Sequence, residues 1–149
     1  MIFNPLWSFY FMHQLFQKYL STVKMLCPSV TEEALSFLEQ GLTISNLDRG
    51  QYYIKAGFMQ TSVGFVTKGL LRSFYIDSNG KEITLRFITD NDFATNYVSF
   101  IDLKPSNLFI QCLEPCELIN ISYTHMQESY RRYSDLERYG RLIAEEVIK

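Results

Sequence analysis

Two arginines are the residues most able to do chemistry. Arg72 lies in the run 70–76 and Arg86 in the run 82–88, and both runs are otherwise rich in apolar and aromatic residues. In strict alternation Arg72 shares a strand face with Leu70, Phe74 and Ile76. A guanidinium on a buried face needs a carboxylate or a bound anion beside it. The other reading is that its stem covers apolar surface while its head reaches water, and Arg86 reads the same two ways. Cys112 and Cys116 straddle the turn Glu114-Pro115, which would make them neighbours across a hairpin. They form a redox pair, half a metal site, or two small buried hydrophobes.

Other chemistry is sparse. His13 and His125 are the only histidines, and both fall in helix patterns. A metal-dependent jelly-roll enzyme needs several His and carboxylate ligands converging from strands. The sequence has no GxSxG, no Gly-rich phosphate loop and no HExxH. Glu145-Glu146 and the pair Asp90/Asp92 fit a solvated helix face and a turn. No catalytic residue, metal site or cofactor is therefore expected.

The elements that position these residues centre on residues 66–93. Two strands, 70–76 and 82–88, flank Asp77-Ser78-Asn79-Gly80, where Asp and Asn tolerate turn geometry and Gly supplies positive φ. Lys68-Gly69 marks an earlier corner and Asp90-Asn91-Asp92 a later one, as in a small all-β roll or sandwich. Strands are also expected at 43–47, 51–55 and 62–67, with a second hairpin formed by 107–113 and 117–122. Residues 93–103 read as a short helix or loop.

Helices bracket the strands. Leu15, Phe16, Tyr19, Leu20, Val23 and Leu26 recur at helical spacing. Pro28 interrupts, and Ser29-Val30-Thr31-Glu32 fits a capping box with Ser29 as N-cap. Ala34, Leu35 and Leu38 point inward on the second helix, and Gly41 ends it. After Ser122, Met126 and Tyr130 suit one short helix. Leu136, Tyr139, Ile143 and Val147 suit a second, capped by Ser134. That stripe is a seam for a second copy or a face for the chain's own roll. The helix still runs at Lys149, which suggests a chain cut there or a helix packed on another copy.

The chain has 149 residues, enough for one domain with a real core. Its 47% hydrophobic content argues against disorder, and its 12 Phe and 10 Tyr favour strands and interfaces. A net charge of −2 is unlike the basic footprint of a nucleic-acid binder. Three cysteines and no secretory signal favour a reducing cytoplasm. No apolar run spans a membrane. Residues 1–11, MIFNPLWSFYF, lack the basic region and cleavage site of a signal peptide. Met12 opens an ordinary helix pattern, so Met12 is expected as the native start and 1–11 as a foreign extension. The alternative is an apolar arm that covers a partner.

Lys68-Gly69, the turn Asn79-Gly80-Lys81-Glu82, Asp92-Phe93, and Cys116-Glu117-Leu118 through Ile121-Ser122-Tyr123 carry a resemblance. Their order and spacing resemble the sensor domain of Crp/Fnr-family bacterial transcription regulators, over residues 43–149 with the leading helices also fitting. The resemblance implies a mainly β (α+β) fold: a double-sheet β-roll or jelly roll of the cyclic-nucleotide-binding type. It would divide the chain into N-terminal helices (1–42), an effector-binding roll (43–122) and C-terminal helices (123–149). The last helix would dimerise through Leu136, Tyr139, Ile143 and Val147 and lead into a helix-turn-helix that reads DNA, which the chain ends before. The implied pocket is lined by Arg72, Arg86, Asn96, Ser99, Lys104, Ser106 and Asn107.

Two departures from the family pattern bear on the ligand. Thr95-Asn96 stands where the phosphate-binding cassette has Gly-Glu, and Ser106-Asn107 where it has Arg and a small residue. In that cassette Glu accepts from a ribose hydroxyl, while Arg neutralises the cyclic phosphate. Both charges are missing, with Lys104 near enough to compensate in part. The N-terminal cysteines of the iron–sulfur, oxygen-sensing branch are also absent, with only Cys27 there. The expectation is a cytoplasmic, homodimeric, non-enzymatic sensor with a small anionic effector and no tight cyclic AMP binding. It would touch DNA only through a helix-turn-helix, and it would not touch membrane. The alternative is a stand-alone β-roll interaction or dimerisation module without a small-molecule ligand. A cupin-like enzyme is held in reserve.

Overall fold

A computed structural model describes residues 5–148. Helices α1 (Pro5–Leu26) and α2 (Glu32–Gln40) lead. α1 runs unbroken through Met12, so that residue does not open the helix. Proline is tolerated at the first helical position because its missing N–H would be unpaired there anyway. Residues 1–4 lie outside the described part. From α1, Leu15, Phe16, Tyr19, Leu20 and Val23 are buried, whereas Leu26 is exposed and Cys27 takes the inward place.

The cap of α2 differs from the expected one. Thr31, not Ser29, is the N-cap, and its Oγ1 accepts from the Ala34 N–H at 3.1 Å. Both residues have the right chemistry for a cap, but the Ser29 hydroxyl donates to Asp135 at 3.4 Å. Ala34, Leu35 and Leu38 are buried as expected. Gly41 ends the helix at φ −100°, so positive φ is not its reason. A Cβ there would lie 2.1 Å from the His125 ring.

The strands are β1 (Leu42–Leu47), β2 (Tyr52–Ile54), β3 (Ser62–Lys68), β4 (Leu71–Ile76), β5 (Glu82–Ile88), β6 (Phe93–Ala94), β7 (Phe109–Cys112) and β8 (Cys116–Ser122). They form two antiparallel four-stranded sheets, ordered β1-β8-β3-β6 and β2-β7-β4-β5. The fold is a double-sheet jelly roll with flanking helices.

Within it, β4 and β5 are the hairpin read from the sequence. Asp77 Oδ1 accepts from the N–H groups of Asn79 and Lys81, both at 2.9 Å, and Gly80 sits at φ +80°. The register of β5 skips Leu85, which is a bulge. β7 and β8 are not a hairpin. β7 pairs with β2 and β4, β8 with β1 and β3, and residues 113–115 carry the chain from one sheet to the other.

Alternation splits the apolar residues between two cores. Val66, Leu71, Ile88, Ile110 and Leu118 fill the space between the sheets. Phe65, Ile119 and Ile121 point the other way, against Tyr19, Val23 and Leu38 of the leading helices. Each such side chain stabilises the fold by roughly 1.5–3 kcal/mol. Cys112 and Cys116 belong to the inter-sheet core as free, buried thiols, so the hydrophobe reading holds. No cluster of metal-binding side chains occurs among the described residues.

Two helices follow the roll, α4 (Tyr123–Arg132) and α5 (Ser134–Ile148). α5 starts at Ser134 itself. Leu136, Tyr139 and Ile143 are buried in the helix-side core, and Val147 packs against it. The four residues read as a seam for a second copy are thus turned toward the chain's own roll. An amphipathic stripe shows that a face is covered, not which surface covers it.

Candidate functional site

The polar cluster of interest spans β6, α3 (Tyr97–Asp102) and the start of β7. Asn96 follows β6 and is 9% exposed, and Ser106 precedes β7 and is 3% exposed. The Asn96 amide donates to Ser106 Oγ at 3.1 Å and to Asn107 Oδ1 at 2.8 Å. Ser106 Oγ donates in turn to the Leu108 carbonyl at 2.8 Å and accepts from the Leu108 N–H at 3.0 Å. Neutral hydrogen bonds therefore tie the two ends of the segment together, as buried polar groups require.

A residue that sequence reasoning missed closes the back of this cluster. Gln60, just before β3, is buried. Its Nε2 donates to Thr95 Oγ1 at 2.7 Å and to the Ser62 carbonyl at 3.0 Å, and its Oε1 accepts from the Asn96 N–H at 3.0 Å. Loop 56–60 pairs with the segment through two backbone bonds, Gly57 N–H to Ser106 O at 2.7 Å and Ser106 N–H to Phe58 O at 2.9 Å. Nothing in the sequence around Gln60 sets it apart from an exposed loop glutamine.

α3 is anchored to the helices. Phe100 is buried and meets Tyr123 edge-on at 5.4 Å. Leu103 caps α3 in the left-handed region at φ 54°. The Ser99 carbonyl accepts from Lys104 N–H at 3.0 Å, while Ser99 itself is half-buried. Lys104 is exposed on the loop that follows. Tyr97 borders a small apolar cavity shared with Tyr19, Tyr130 and Tyr139. Burial pushes the hydroxyls of Tyr97, Tyr130, Tyr139 and Tyr19 above the ordinary tyrosine range.

The two strand arginines part company. Arg72 pairs in register with Gln111 and Phe87, one step from Leu71 in the inter-sheet core. Neighbouring residues in a strand face opposite ways, so Arg72 projects from the outside of its sheet and does not reach the cluster. It shares that face with Phe74, as the alternation implied, and its guanidinium lies 4.0 Å from the Phe74 ring centre. Glu82 at 2.5 Å, Gln111 at 3.2 Å and Thr84 at 3.3 Å take its hydrogens, leaving only Nε without a partner. The partner its burial demanded is thus a carboxylate of the chain. Arg86 lies opposite the buried Ser73, on the interior side of the sheet. It is exposed and in no ion pair among the described residues.

Both histidines are tied to α2, His13 from an exposed position and His125 from a stacked one. His13 pairs with Glu39 at 2.5 Å, and His125 stacks on Phe37 at 4.9 Å with its Nε2 2.9 Å from the Phe37 carbonyl. A cyclic phosphodiester keeps one negative charge at physiological pH. Asn96, Ser106 and Asn107 offer it hydrogen bonds but no charge, so these residues do not fit a buried phosphate by themselves.

A family model, Cyclic nucleotide-binding domain, matches residues 44–133. No curated protein matches the chain. Among solved structures, the sensor domain of the transcriptional regulator DNR from Pseudomonas aeruginosa superposes with a TM-score of 0.74 at 18% identity, covering 91% of this chain and 89% of that one. The Thermus thermophilus Catabolite Activator Protein gives 0.68 at 17% identity, covering 80% of this chain and 56% of that one. The regulatory domain of Toxoplasma gondii PKA, solved with cAMP, gives 0.64 at 14% identity, covering 73% and 42%. These identities carry a likeness of fold. No helix among the described residues is long and apolar enough to cross a membrane. The family model covers more than half of the sequence, and on that ground the chain belongs to the cyclic nucleotide-binding domain family.

Proposed function

We propose that this chain is the effector-sensing domain of a Crp/Fnr-type transcription regulator whose phosphate-binding cassette is degenerate. The observation that carries the reading is the Asn96–Ser106–Asn107 network, which occupies the cassette's two ends with neutral groups already bonded to one another. The domain binds and does not catalyse. Its effector is a small anion other than tightly held cyclic AMP, with Arg86 on the interior side of the sheet and Lys104 on the cassette loop as the available cations. Three free cysteines fit a cytoplasmic setting. DNA is reached through a helix-turn-helix outside the described residues. A homodimer through α5 would use its outward side, where Arg138, Arg141 and Glu145 are exposed, since the stripe at Leu136 is spent internally.

Titration calorimetry with cyclic AMP and cyclic GMP tests this. A buried phosphate without a paired cation loses several kcal/mol, or two or more decades of affinity. The expected dissociation constant is above about 100 µM. A value near or below about 1 µM would overturn the reading, and Arg86→Ala and Lys104→Ala would then identify the replacement cation. The second reading, a β-roll interaction module with no small-molecule ligand, is favoured by the same saturation: Asn96 and Ser106 already have their partners. It predicts no anion binding at any concentration up to about 10 mM, an affinity weaker than roughly 3 kcal/mol.

A further inference from the structure

A polar cleft on the roll outside the cassette lies along the edge where β1 and β2 approach. It holds about 370 Å³, within the range of small-molecule sites. Its floor is polar although it faces the inter-sheet space. The Tyr53 hydroxyl donates to Asn120 Oδ1 at 2.6 Å, and Asn120 Nδ2 donates to Ser45 Oγ at 2.8 Å and Thr43 Oγ1 at 3.2 Å. Tyr53 reaches this place because residue 64 is glycine. A Cβ there would lie 2.6 Å from the Tyr53 hydroxyl.

The committed hydrogens decide what the floor can offer. Tyr53 has spent its proton on Asn120, so only its lone pairs remain. Ser45 accepts from Asn120 and keeps its own proton to donate. Gln60, on the cleft wall, is fully engaged with Ser62, Thr95 and Asn96. One acceptor beside one donor is the complement of a single hydroxyl group. Above this floor the rim is apolar and bare: Phe58 is 67% exposed and Met59 48%. Lys55 lines the cleft, is exposed, and is in no ion pair among the described residues; its ammonium rests 5.7 Å from the Tyr52 ring centre.

We propose that this cleft is a second ligand site, for a small hydroxyaromatic monoanion. The hydroxyl meets Tyr53 and Ser45, the ring lies against Phe58, and the acid is within reach of the exposed Lys55 side chain. The site is separate from the cassette but shares Gln60 with it, so occupancy bears on Thr95 and Asn96.

The test is calorimetry on the whole chain with 4-hydroxybenzoate, benzoate and phenol, where benzoate lacks the hydroxyl and phenol the acid. A neutral hydrogen bond is worth roughly 2–10-fold. 4-Hydroxybenzoate is therefore expected to bind about 5-fold or more tightly than either of the others. Tyr53→Phe should erase its advantage over benzoate, and Lys55→Ala its advantage over phenol. Lys55 is exposed, so that variant keeps the test open if Tyr53→Phe fails to fold. Lys18→Ala, at an exposed lysine of α1 outside the cleft lining, should change nothing. Equal binding of all three probes, no binding at 10 mM, or loss of binding in Lys18→Ala but not in Lys55→Ala would each overturn the proposal. None of these results depends on the cyclic nucleotide titration, so this site and the cassette reading stand or fall separately.

Discussion

Gly140 gives a test in which two effects of known size oppose each other. It sits inside α5, and it is not among the residues with positive φ. Backbone freedom is therefore not why it is glycine. In a helix interior alanine is favoured over glycine by about 1 kcal/mol. Propensity alone thus makes Gly140→Ala stabilising. But a Cβ there would lie 2.3 Å from Tyr130 Cζ and 2.4 Å from its hydroxyl oxygen. Overpacking of this kind costs about 1–3 kcal/mol. The clash wins, and Gly140→Ala should destabilise by about 1 kcal/mol net. In a Tyr130→Ala background the obstruction is gone and the same change should stabilise by about 1 kcal/mol. The coupling between the two sites is then about 2 kcal/mol. For a domain of this length, 1 kcal/mol moves Tm by about 2–4 °C. Thermal melts and urea midpoints on the four proteins of the cycle measure it. If Gly140→Ala raises Tm equally in both backgrounds, the approach of α4 to α5 through Tyr130 is not what fixes this glycine.

Further predictions follow from buried hydroxyls and thiols. Tyr139 donates to Tyr19 at 3.0 Å inside the helix-side core. Tyr19→Phe strands a buried donor and should cost about 1–3 kcal/mol, while the Tyr19→Phe/Tyr139→Phe pair should cost less than Tyr19→Phe alone; urea unfolding decides, and strict additivity would count against the bond. Burial, and next its contact with Cys116, pushes the Cys112 thiol up to about 12, and burial raises Tyr53, Tyr139 and Tyr19 as well. These groups stay protonated in the folded chain while the unfolded chain loses its protons. Their stabilisation is complete below about pH 8.5 and is lost as pH rises toward 12. Melts from pH 8 to 11 should show a falling Tm, and a flat profile would refute the burial argument. At pH 8 native Cys112 should resist a thiol reagent that labels it at once in urea.

Strands were legible where alternation and turn chemistry agree. The span 82–88 is β5 residue for residue, because Asp77 to Gly80 can form little but a tight turn. What failed was the assignment of faces and partners. Arg72 does alternate with Phe74, but both sides of β4 are covered, and alternation does not say which side is the interior. Leu136, Tyr139 and Ile143 form a real stripe, yet its periodicity is the same whether the roll or a second copy lies against it. Glu114-Pro115 turns the chain equally well within a hairpin or between sheets. Ser29 and Thr31 are equivalent caps until Asp135, far along the sequence, draws Ser29 away. Asn96, Ser106 and Asn107 do come together across the segment 95–107; Gln60, which holds them from behind, carries no local signal at all.

The neutral network at Asn96 and Ser106 has an energetic consequence that a buried ion pair lacks. A Glu–Arg pair buried without a ligand carries a desolvation cost that the ligand's phosphate and ribose relieve. Asn96, Ser106 and Gln60 carry no such cost, because each already has its partners inside the chain. A ligand that inserts between Asn96 and Ser106 must break bonds worth about 0.5–1.5 kcal/mol each and replace them with its own. A small molecule gains affinity here only if its polar groups reproduce that pattern or if Arg86 or Lys104 closes on it. The segment is therefore ordered before any ligand arrives, with α3 held to α4 through Phe100 and Tyr123. Binding that does occur has to act by moving an already packed element, and the first contacts to feel it are Phe100 on Tyr123 and Gln60 on Thr95.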